Sequence, residues 1–232
     1  MENRHTLVTG ASRGLGRALA LHLLNAGDLV IGCARGQGTI QHQRYVHVEA
    51  DVTSDSDVER LFTRLREFGR LDVLINNAGT ARMLPLALTP DDTARRIIDL
   101  NLFAVFRMIH RAVRLMRKSQ VPRIVNLTSV AVPLRLEGES IYAASKAAVE
   151  TLTRIVAKEL GPLGITCNAI GPTPIRTDLI RNVPEDKLQA IVGQQSIPVW
   201  AEPDDVTNAV DFFLRPQSRL ITGQVLYLGG MG

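Results

Sequence analysis

Tyr142 and Lys146 stand four residues apart in the run Ser140-Ile-Tyr-Ala-Ala-Ser-Lys146, and Ser129 lies thirteen positions upstream of the tyrosine, at the end of an apolar run. Residues at i and i+4 share one face of a helix, so a phenol and an ammonium placed this way can act on one substrate. A free tyrosine titrates near pH ~10, too high to exchange protons readily at neutrality, and a fixed positive charge beside it lowers that value. The expectation is a phenol made acidic by Lys146, with the Ser129 hydroxyl holding the oxygen of the same carbonyl or alcohol. Alone, a Tyr-x-x-x-Lys pattern occurs by chance on many exposed helices. It gains meaning from a second pattern at the start of the chain.

That pattern is Leu7-Val-Thr-Gly-Ala-Ser-Arg-Gly-Leu-Gly16, in which an apolar strand ends at Thr9, glycines follow at 10, 14 and 16, and an apolar-periodic stretch runs from Leu15 to Ala26. Strand, glycine-rich turn and helix in that order are the context a dinucleotide-phosphate site requires. The glycines allow a tight turn and close approach of backbone to a pyrophosphate, while the helix N-terminus offers free N–H groups and a positive dipole.

The elements that must position these groups alternate along the chain. Strands are expected near 5–9, 29–34, 45–50, 71–76, 122–128, 165–170 and 224–228, with helices near 15–26, 55–68, 91–118, 141–160 and 203–214 and a modest one near 185–192. Such alternation predicts an α/β fold: a doubly wound parallel sheet of about seven strands, helices on both faces. Val58, Leu61, Phe62, Leu65 and Phe68 recur at helical spacing behind Ser54 and Asp55 as cap signals. Gly27 and Gly161 fall where helix C-caps are expected, and Thr89-Pro90-Asp91-Asp92 reads as a cap, a first-turn proline and two dipole-favoured acids. Nothing resembling a linker or repeat interrupts the pattern, which predicts a single Rossmann domain over 1–232. One connection is unusual. Arg35 to Gln43 gives only nine residues between the second and third strands, too few for the usual helical crossover of about a dozen. A short coil or single turn beside the expected adenosine pocket is expected there.

The bulk properties fit this picture. The chain has 232 residues, 45% hydrophobic and 22% charged, with a net charge of +4, enough for one α/β domain with a substantial core. No apolar run approaches the ~18–20 residues that cross a bilayer, and Met1-Glu-Asn-Arg-His5 leads straight into the first strand with no room for a secretory signal. A cytoplasmic location follows as the expectation. Cys33 and Cys167 fall inside expected strands and read as small core residues, and the five histidines show no metal-ligand spacing. Arg107, Arg111, Arg114 and Lys118 form one stripe along a helix, with Arg117 and Arg123 nearby. Such a stripe is ordinarily a solvated face, and its functional alternative is a dock for an acidic partner such as an acyl carrier protein. Nucleic-acid binding is not expected: there is no aromatic interleaving and no recognisable module.

Taken together, Thr9-Gly10-x-x-x-Gly14-x-Gly16, Asp51-Val52, Asn76-Asn77-Ala78-Gly79, Asn101, Ser129, Tyr142-x-x-x-Lys146 and Ile175-x-Thr177 cover nearly the whole chain. In this order they resemble the short-chain dehydrogenase/reductase family. The resemblance implies catalytic roles for Asn101, Ser129, Tyr142 and Lys146. It also implies a nicotinamide dinucleotide held by Gly10, Ser12, Arg13, Gly14, Leu15, Gly16, Arg35, Asp51, Val52, Asn77, Ala78, Gly79, Tyr142, Lys146, Pro172, Ile175 and Thr177. Asp51 would contact the adenine, Asn101 would hold a water linking Lys146 to solvent, and Thr177 with the Ile175 backbone would meet the carboxamide. From the residues alone, Asn101 would read as a neutral surface or kink position. Thr173 departs from the family pattern, standing where glycine is common, so the loop around it is expected to follow another path.

Cofactor choice can be argued separately. Sites that favour NAD often place an acid after the second strand, but here the run is Gly32-Cys33-Ala34-Arg35. Arg35 and Arg13 could both face a 2′-phosphate and form charge-assisted hydrogen bonds with it, which predicts NADP(H). The hydride chemistry belongs to the cofactor. Tyr142 would supply the proton, Lys146 would tune it and bind ribose, and Ser129 would polarise the carbonyl.

In length and layout the chain most resembles the β-ketoacyl-[acyl carrier protein] reductases within the family, which implies NADPH-dependent reduction of a carbonyl to a secondary alcohol in fatty acid biosynthesis. Arg181 matches a basic residue used near the carrier, while another position of that dock falls on Gln120. The alternatives are a carbonyl reductase or alcohol dehydrogenase acting on a free sugar, polyol, steroid or quinone, and a silent NADP(H)-binding regulator. The resemblance also implies a homotetramer packed through the two long helices, where Phe103, Phe106, Ile109, Val113 and Met116 offer apolar surface.

Overall fold

The computed structural model describes residues 4–181 and 183–230, so Met1–Asn3 of the N-terminal run lie outside the described residues. Seven strands, β1 (His5–Thr9), β2 (Leu29–Ala34), β3 (Tyr45–Glu49), β4 (Val73–Asn76), β5 (Arg123–Leu127), β6 (Thr166–Gly171) and β7 (Val225–Tyr227), form one sheet. Their order is β3-β2-β1-β4-β5-β6-β7, and every pairing is parallel. The expected doubly wound sheet is therefore present. Its strand order reverses between β1 and β4, the crevice where open α/β sheets bind ligands.

Among the described residues eight α-helices accompany the sheet: α1 (Gly14–Asn25), α2 (Asp55–Arg66), α3 (Asp91–Ile98), α4 (Ala104–Met116), α5 (Ala131–Leu134), α6 (Ser140–Leu160), α7 (Glu185–Gly193) and α8 (Pro203–Leu214). Successive strand residues point to opposite faces, so each strand feeds two cores. Leu7, Ile31, Leu74 and Ile124 pack with Val58, Leu61, Met108 and Val149 on one side. Val8, Val30, Val73 and Val125 pack with Leu19, Leu23, Val206 and Phe213 on the other. The sequence of α2 explains its placement: Ser54 Oγ accepts from the Asp57 N–H at 3.3 Å, and Val58, Leu61, Phe62 and Leu65 are buried.

Several local expectations are corrected. The helix expected over 91–118 is interrupted by a π-turn, Asp99–Phe103, between α3 and α4. Thr89 does not cap α3; its hydroxyl donates to the Pro85 carbonyl, and Pro90 occupies the cap position without a side-chain bond. Gly161 is the C-cap of α6 as expected, though with a right-handed φ; the chain continues into a 3-10 turn, and Gly164 (φ 74°) makes the left-handed exit. Gly27 (φ 95°) does terminate the α1 region as expected. Arg123 is not part of the basic surface, since it lies on β5 and is only 3% exposed. Ile109 and Met116 belong to the core, which leaves Phe103 and Phe106, each 53% exposed, as outward-facing aromatics of that helix.

The crossover 35–43 has no helix. It is pinned by a Thr39 Oγ1 donation to the Ser12 carbonyl at 2.6 Å and by the buried Ile40. Cys33 and Cys167 are free and buried. Among the described residues no helix is long and apolar enough to cross a membrane, and no group of three acidic, His or Cys side chains could hold a metal.

Candidate active site

The residues singled out from the sequence converge on the C-terminal edge of the sheet. The glycine turn follows β1, Asn77 follows β4, Ser129 follows β5 and the Pro172–Thr177 loop follows β6. α6 carries Tyr142 and Lys146 past the same edge.

The glycine turn is shaped so that side chains cannot occupy it. A Cβ on Gly16 would lie 2.2 Å from the Gly10 carbonyl oxygen, and one on Gly10 would lie 2.9 Å from Asn77 Nδ2. Gly10 (φ 70°) and Gly14 (φ 54°) also take left-handed conformations that favour glycine. Asn77 locks this cradle to β4: its Nδ2 donates to the Thr9 carbonyl at 2.8 Å, and its N–H donates to Thr9 Oγ1 at 3.0 Å. The Ala78 N–H adds a second donation to Thr9 Oγ1 at 2.9 Å. The cradle opens onto the N-terminus of α1, which has no side-chain cap. Bare backbone at a helix N-terminus suits a dinucleotide pyrophosphate, so the residues present fit a nicotinamide dinucleotide.

The remaining expected cofactor residues surround the cradle. Arg13 is exposed and pairs with Asp178 at 3.3 Å, while Arg35 lies exposed at the end of β2. Leu15 packs on the α1 core, and Thr177 closes over Gly14. Asp51 Oδ1 accepts from the N–H and hydroxyl of Thr53 at 2.9 and 2.7 Å, so it also builds its own turn. The Val52 carbonyl is engaged by Arg107 at 3.0 Å. Ile175 bridges to Ala201, and Pro172 accepts from the Val130 N–H at 3.2 Å. Thr173 takes no left-handed φ. Its hydroxyl is buried without a partner among the described residues, which is where replacing the usual glycine is felt.

The four chemical residues are brought together, with one change from expectation. Lys146 is 5% exposed and donates to the Leu127 carbonyl at 2.8 Å, and its Nζ lies 5.9 Å from the centre of the Tyr142 ring. Burial penalises the ammonium and lowers its pKa to about 8. The Tyr142 phenol is not made acidic in this state: it stands at about 12, raised chiefly by burial, lowered somewhat by the hydrogen bond with Ser129 and raised slightly by the nearby Glu139 charge. The expectation of a lowered phenol fails because desolvation of the phenolate outweighs the available stabilisation.

Asn101 sits in the π-turn and is fully buried. Its Oδ1 accepts from the Thr80 N–H and its Nδ2 donates to the Thr80 carbonyl, both at 2.9 Å, with a further donation to Ser145 Oγ at 3.0 Å. Ser145 Oγ in turn donates to the Tyr142 carbonyl at 2.7 Å. A Cβ on Gly79 would meet Asn101 Oδ1 at 3.3 Å and Lys146 Nζ at 3.5 Å, so the Asn101 amide and the ammonium border the same small space. π-turns inside α-helices recur at functional sites, and this one turns a polar side chain inward from an otherwise apolar-periodic helix.

Sequence reasoning missed two acidic contributors. Glu139, at the start of α6, acts on the Tyr142 phenol. Glu150, 5% exposed, accepts from Thr128 Oγ1 at 2.8 Å and from the Tyr227 hydroxyl at 2.5 Å, tying β5, α6 and β7 together next to Ser129. No local pattern pairs residues so far apart in the chain. A groove of about 390 Å³ beside the start of α6 is lined by Leu86, Val132, Arg135, Leu136, Glu137 and Ala143, and neither Tyr142 nor Lys146 lines it.

A parallel doubly wound sheet with a glycine cradle at its switch point and a Ser–Tyr–Lys cluster beside it defines a nicotinamide-dependent oxidoreductase. A family model described as enoyl-(acyl carrier protein) reductase matches residues 10–231. The 3-oxoacyl-[acyl-carrier-protein] reductase FabG of Vibrio harveyi is 34% identical over 237 residues, covering 99% of this chain and 97% of that protein. The ligand-free structure of Thermoplasma acidophilum aldohexose dehydrogenase superposes with a TM-score of 0.89 at 31% identity, covering 99% of this chain and 94% of that one. The 3-ketoacyl-(acyl-carrier-protein) reductase of Brucella melitensis, solved with NADH, gives a TM-score of 0.90 at 26% identity, covering 99% and 98%. The chain belongs to the short-chain dehydrogenase/reductase family, and it is an oxidoreductase.

Proposed function

We propose that this chain is an NADPH-dependent ketoreductase that reduces the carbonyl of a 3-oxoacyl thioester to a secondary alcohol. The observation that carries the reading is the meeting of Ser129, Tyr142 and Lys146 at one buried point, with Asn101 bordering the ammonium. When bound, the dihydronicotinamide supplies the hydride to the carbonyl carbon. Ser129 holds the carbonyl oxygen, and Tyr142 delivers its proton to the developing alkoxide. A phenol that stays protonated up to about 12 suits the acid role in reduction. Lys146, held on the Leu127 carbonyl, places positive charge beside that proton's donor and binds ribose hydroxyls. Asn101 steadies the Gly79–Thr80 segment and leads solvent protons toward the ammonium.

NADPH rather than NADH is favoured by two exposed arginines, Arg13 and Arg35, and by the lack of an acid after β2. The similarity to carrier-protein reductases supports a carrier-bound acyl substrate, a cytoplasmic enzyme and a place in fatty acid biosynthesis. The exposed Arg181 remains available for such a carrier, although it lies 3.9 Å from Asp178. The α4 stripe supports docking less, because Arg107 is engaged by Asp55 and Arg111 by Glu59, each at 2.8 Å. Assembly as a homotetramer through α4 and α6 would cover Phe103 and Phe106. Residues 1–232 would then act as one NADP(H)-binding domain.

A second reading, reduction or oxidation of a free sugar or polyol, is favoured by the 31% identity to an aldohexose dehydrogenase. A ketone panel with NADPH decides between them. The first reading expects the highest kcat/KM on 3-oxoacyl thioesters and salt-sensitive binding of acyl carrier protein. Activity confined to free sugars or sterols would overturn it, and equal efficiency with NADH would overturn the cofactor preference.

A further inference from the structure

Glu150 is a buried carboxylate that hydride transfer does not use, and it stands one helical turn beyond Lys146 on α6. Two neutral hydroxyls answer its charge more closely than any cation. Oε1 accepts from Thr128 Oγ1 at 2.8 Å and from the Tyr227 hydroxyl at 2.5 Å, while Arg154 Nη2 lies 3.9 Å from Oε2. Hydrogen bonds to an ionised acceptor are stronger than those between neutral groups. One oxygen therefore holds Thr128 and Tyr227 together.

Tyr227 reaches that oxygen across β6. It pairs with Gly171, and a Cβ on Gly171 would lie 2.4 Å from Tyr227 Cδ1 and 3.2 Å from Thr128 Cγ2. The missing side chain at 171 gives the ring its passage and sets it beside Thr128. The same ring packs against the small cluster of Val130 and Ile191, the latter on α7. Thr128 and Val130 are the two neighbours of Ser129. Their main chains are tied to one side, with the Thr128 N–H on the Ile170 carbonyl at 2.8 Å and the Val130 N–H on the Pro172 carbonyl at 3.2 Å. Their side chains are tied to Tyr227, one through Glu150 and the other through that packing. Ser129 Oγ accepts from the Ala131 N–H at 3.1 Å within the same turn, so its direction follows the peptide units on either side of it.

We propose that Tyr227 is a positioning residue for Ser129: its hydroxyl, acting through Glu150, fixes the Thr128 side of the serine, and its ring fixes the Val130 side. This rests on the ketoreductase reading above and deepens it. The same anchor is keyed to the lysine, since Thr128 Oγ1 lies 3.4 Å from the Lys146 carbonyl and Lys146 Nζ donates to the Leu127 carbonyl at 2.8 Å. Releasing it would let Ser129 drift relative to the proton donor, and a misplacement of about 1 Å can cost up to about a hundredfold in rate. The glycine cradle stands on β1 and β4, across β5 from Tyr227, so cofactor affinity is outside its reach.

A double-mutant cycle on the single-turnover rate of NADPH oxidation, run below the melting temperature of every variant, tests this role. The probes are acetoacetyl coenzyme A, a 3-oxoacyl thioester, and fructose, a free ketose. Tyr227→Phe keeps the ring and its packing and removes the hydroxyl. It should lower the rate by about tenfold with the NADPH dissociation constant unchanged, and by less than about twofold when Ser129 is already alanine. Thr128→Val breaks the same chain at its other end and should behave alike, which keeps the test open if the tyrosine variant does not fold. Glu150→Gln retains an oxygen that accepts from both hydroxyls and should recover most of the rate that Glu150→Leu loses. Equal losses from Tyr227→Phe with and without the Ser129 hydroxyl, or no loss at all, would overturn the positioning role. Coupling seen on fructose while the thioester is not turned over would overturn the thioester reading and leave the role of Tyr227 standing. A wild type that turns over neither probe would overturn both.

Discussion

Asn101 holds Thr80 by both of its main-chain groups: Oδ1 accepts from the Thr80 N–H and Nδ2 donates to the Thr80 carbonyl, each at 2.9 Å. The amide acts as a substitute strand partner for the chain leaving β4, at the level of the ammonium of Lys146. Replacing it with alanine would leave Thr80 with two part-buried main-chain groups unanswered, each worth about 1 kcal/mol or more. Asn101→Ala is therefore expected to lower stability by about 2 kcal/mol or more and to reduce turnover. Denaturant unfolding would measure the first effect, and steady-state rates the second. Asn101→Asp keeps the acceptor but sets a buried carboxylate oxygen against the Thr80 carbonyl, so it should not restore the stability that alanine loses.

Tyr142→Phe keeps the ring and removes the proton donor. Turnover is expected to fall by about 10²–10⁴-fold, while NADPH binding, followed by its fluorescence, stays close to wild type. Retained turnover in that variant would exclude Tyr142 as the acid.

The pH dependence distinguishes the lysine from the tyrosine. Lys146 carries its proton below about 8 and Tyr142 keeps its own up to about 12. Reductive kcat/KM is expected to fall as pH rises through about 8, because the ammonium and not the phenol is lost there. Lys146→Arg, whose guanidinium does not deprotonate in this range, should reach a lower plateau without that limb. The stability trend has the opposite sign. Between the native value of about 8 and the ordinary lysine value of 10.5, the unfolded chain holds a proton that the native state has released, so this group makes folding more favourable as pH rises. A loss of activity near pH 8 with no accompanying drop in melting temperature is the expected signature.

Gly16→Ala tests the cradle. The added methyl would meet the Gly10 carbonyl oxygen at 2.2 Å, a backbone atom held by the turn itself. The expected result is loss of NADPH affinity together with lower stability, seen by fluorescence titration and thermal melting. Gly36→Ala, which meets nothing within 4 Å, is the matched control.

Tyr227→Phe removes one of the two hydroxyls that answer the buried Glu150 carboxylate. It should cost about 1–3 kcal/mol. Glu150→Gln, which no longer carries a charge, should tolerate the same tyrosine change better. Double-mutant unfolding would read the difference as a coupling energy.

Much of this architecture was legible from residue spacing, because parallel strands buried on both faces leave short β-branched runs such as Leu29–Ala34 and Arg123–Leu127. The glycine turn was legible for a local reason too, since its geometry is set within one strand–turn–helix unit. What escaped was non-local. The π-turn at Asp99–Phe103 puts Asn101 in the interior, although helical periodicity alone leaves it a neutral position. Arg123 reads as surface charge until β5 is seen to be central in the sheet. The phenol shifted opposite to expectation because i, i+4 spacing reports that a cation is near and is silent about how much water both groups lose. Glu150 and Tyr227 meet across 77 positions of chain, beyond the reach of any window.

The helix-free passage from β2 to β3 has a practical consequence. Gln41 to Gln43 is exposed, while its neighbours Thr39 and Ile40 anchor the strap from one side. That tip sits at the rim of the sheet, remote from Tyr142, where an inserted peptide or affinity tag would find space already vacated by a missing element. Graft tolerance at this spot would make the strap a handle for immobilising the catalyst with its hydride-transfer end facing outward.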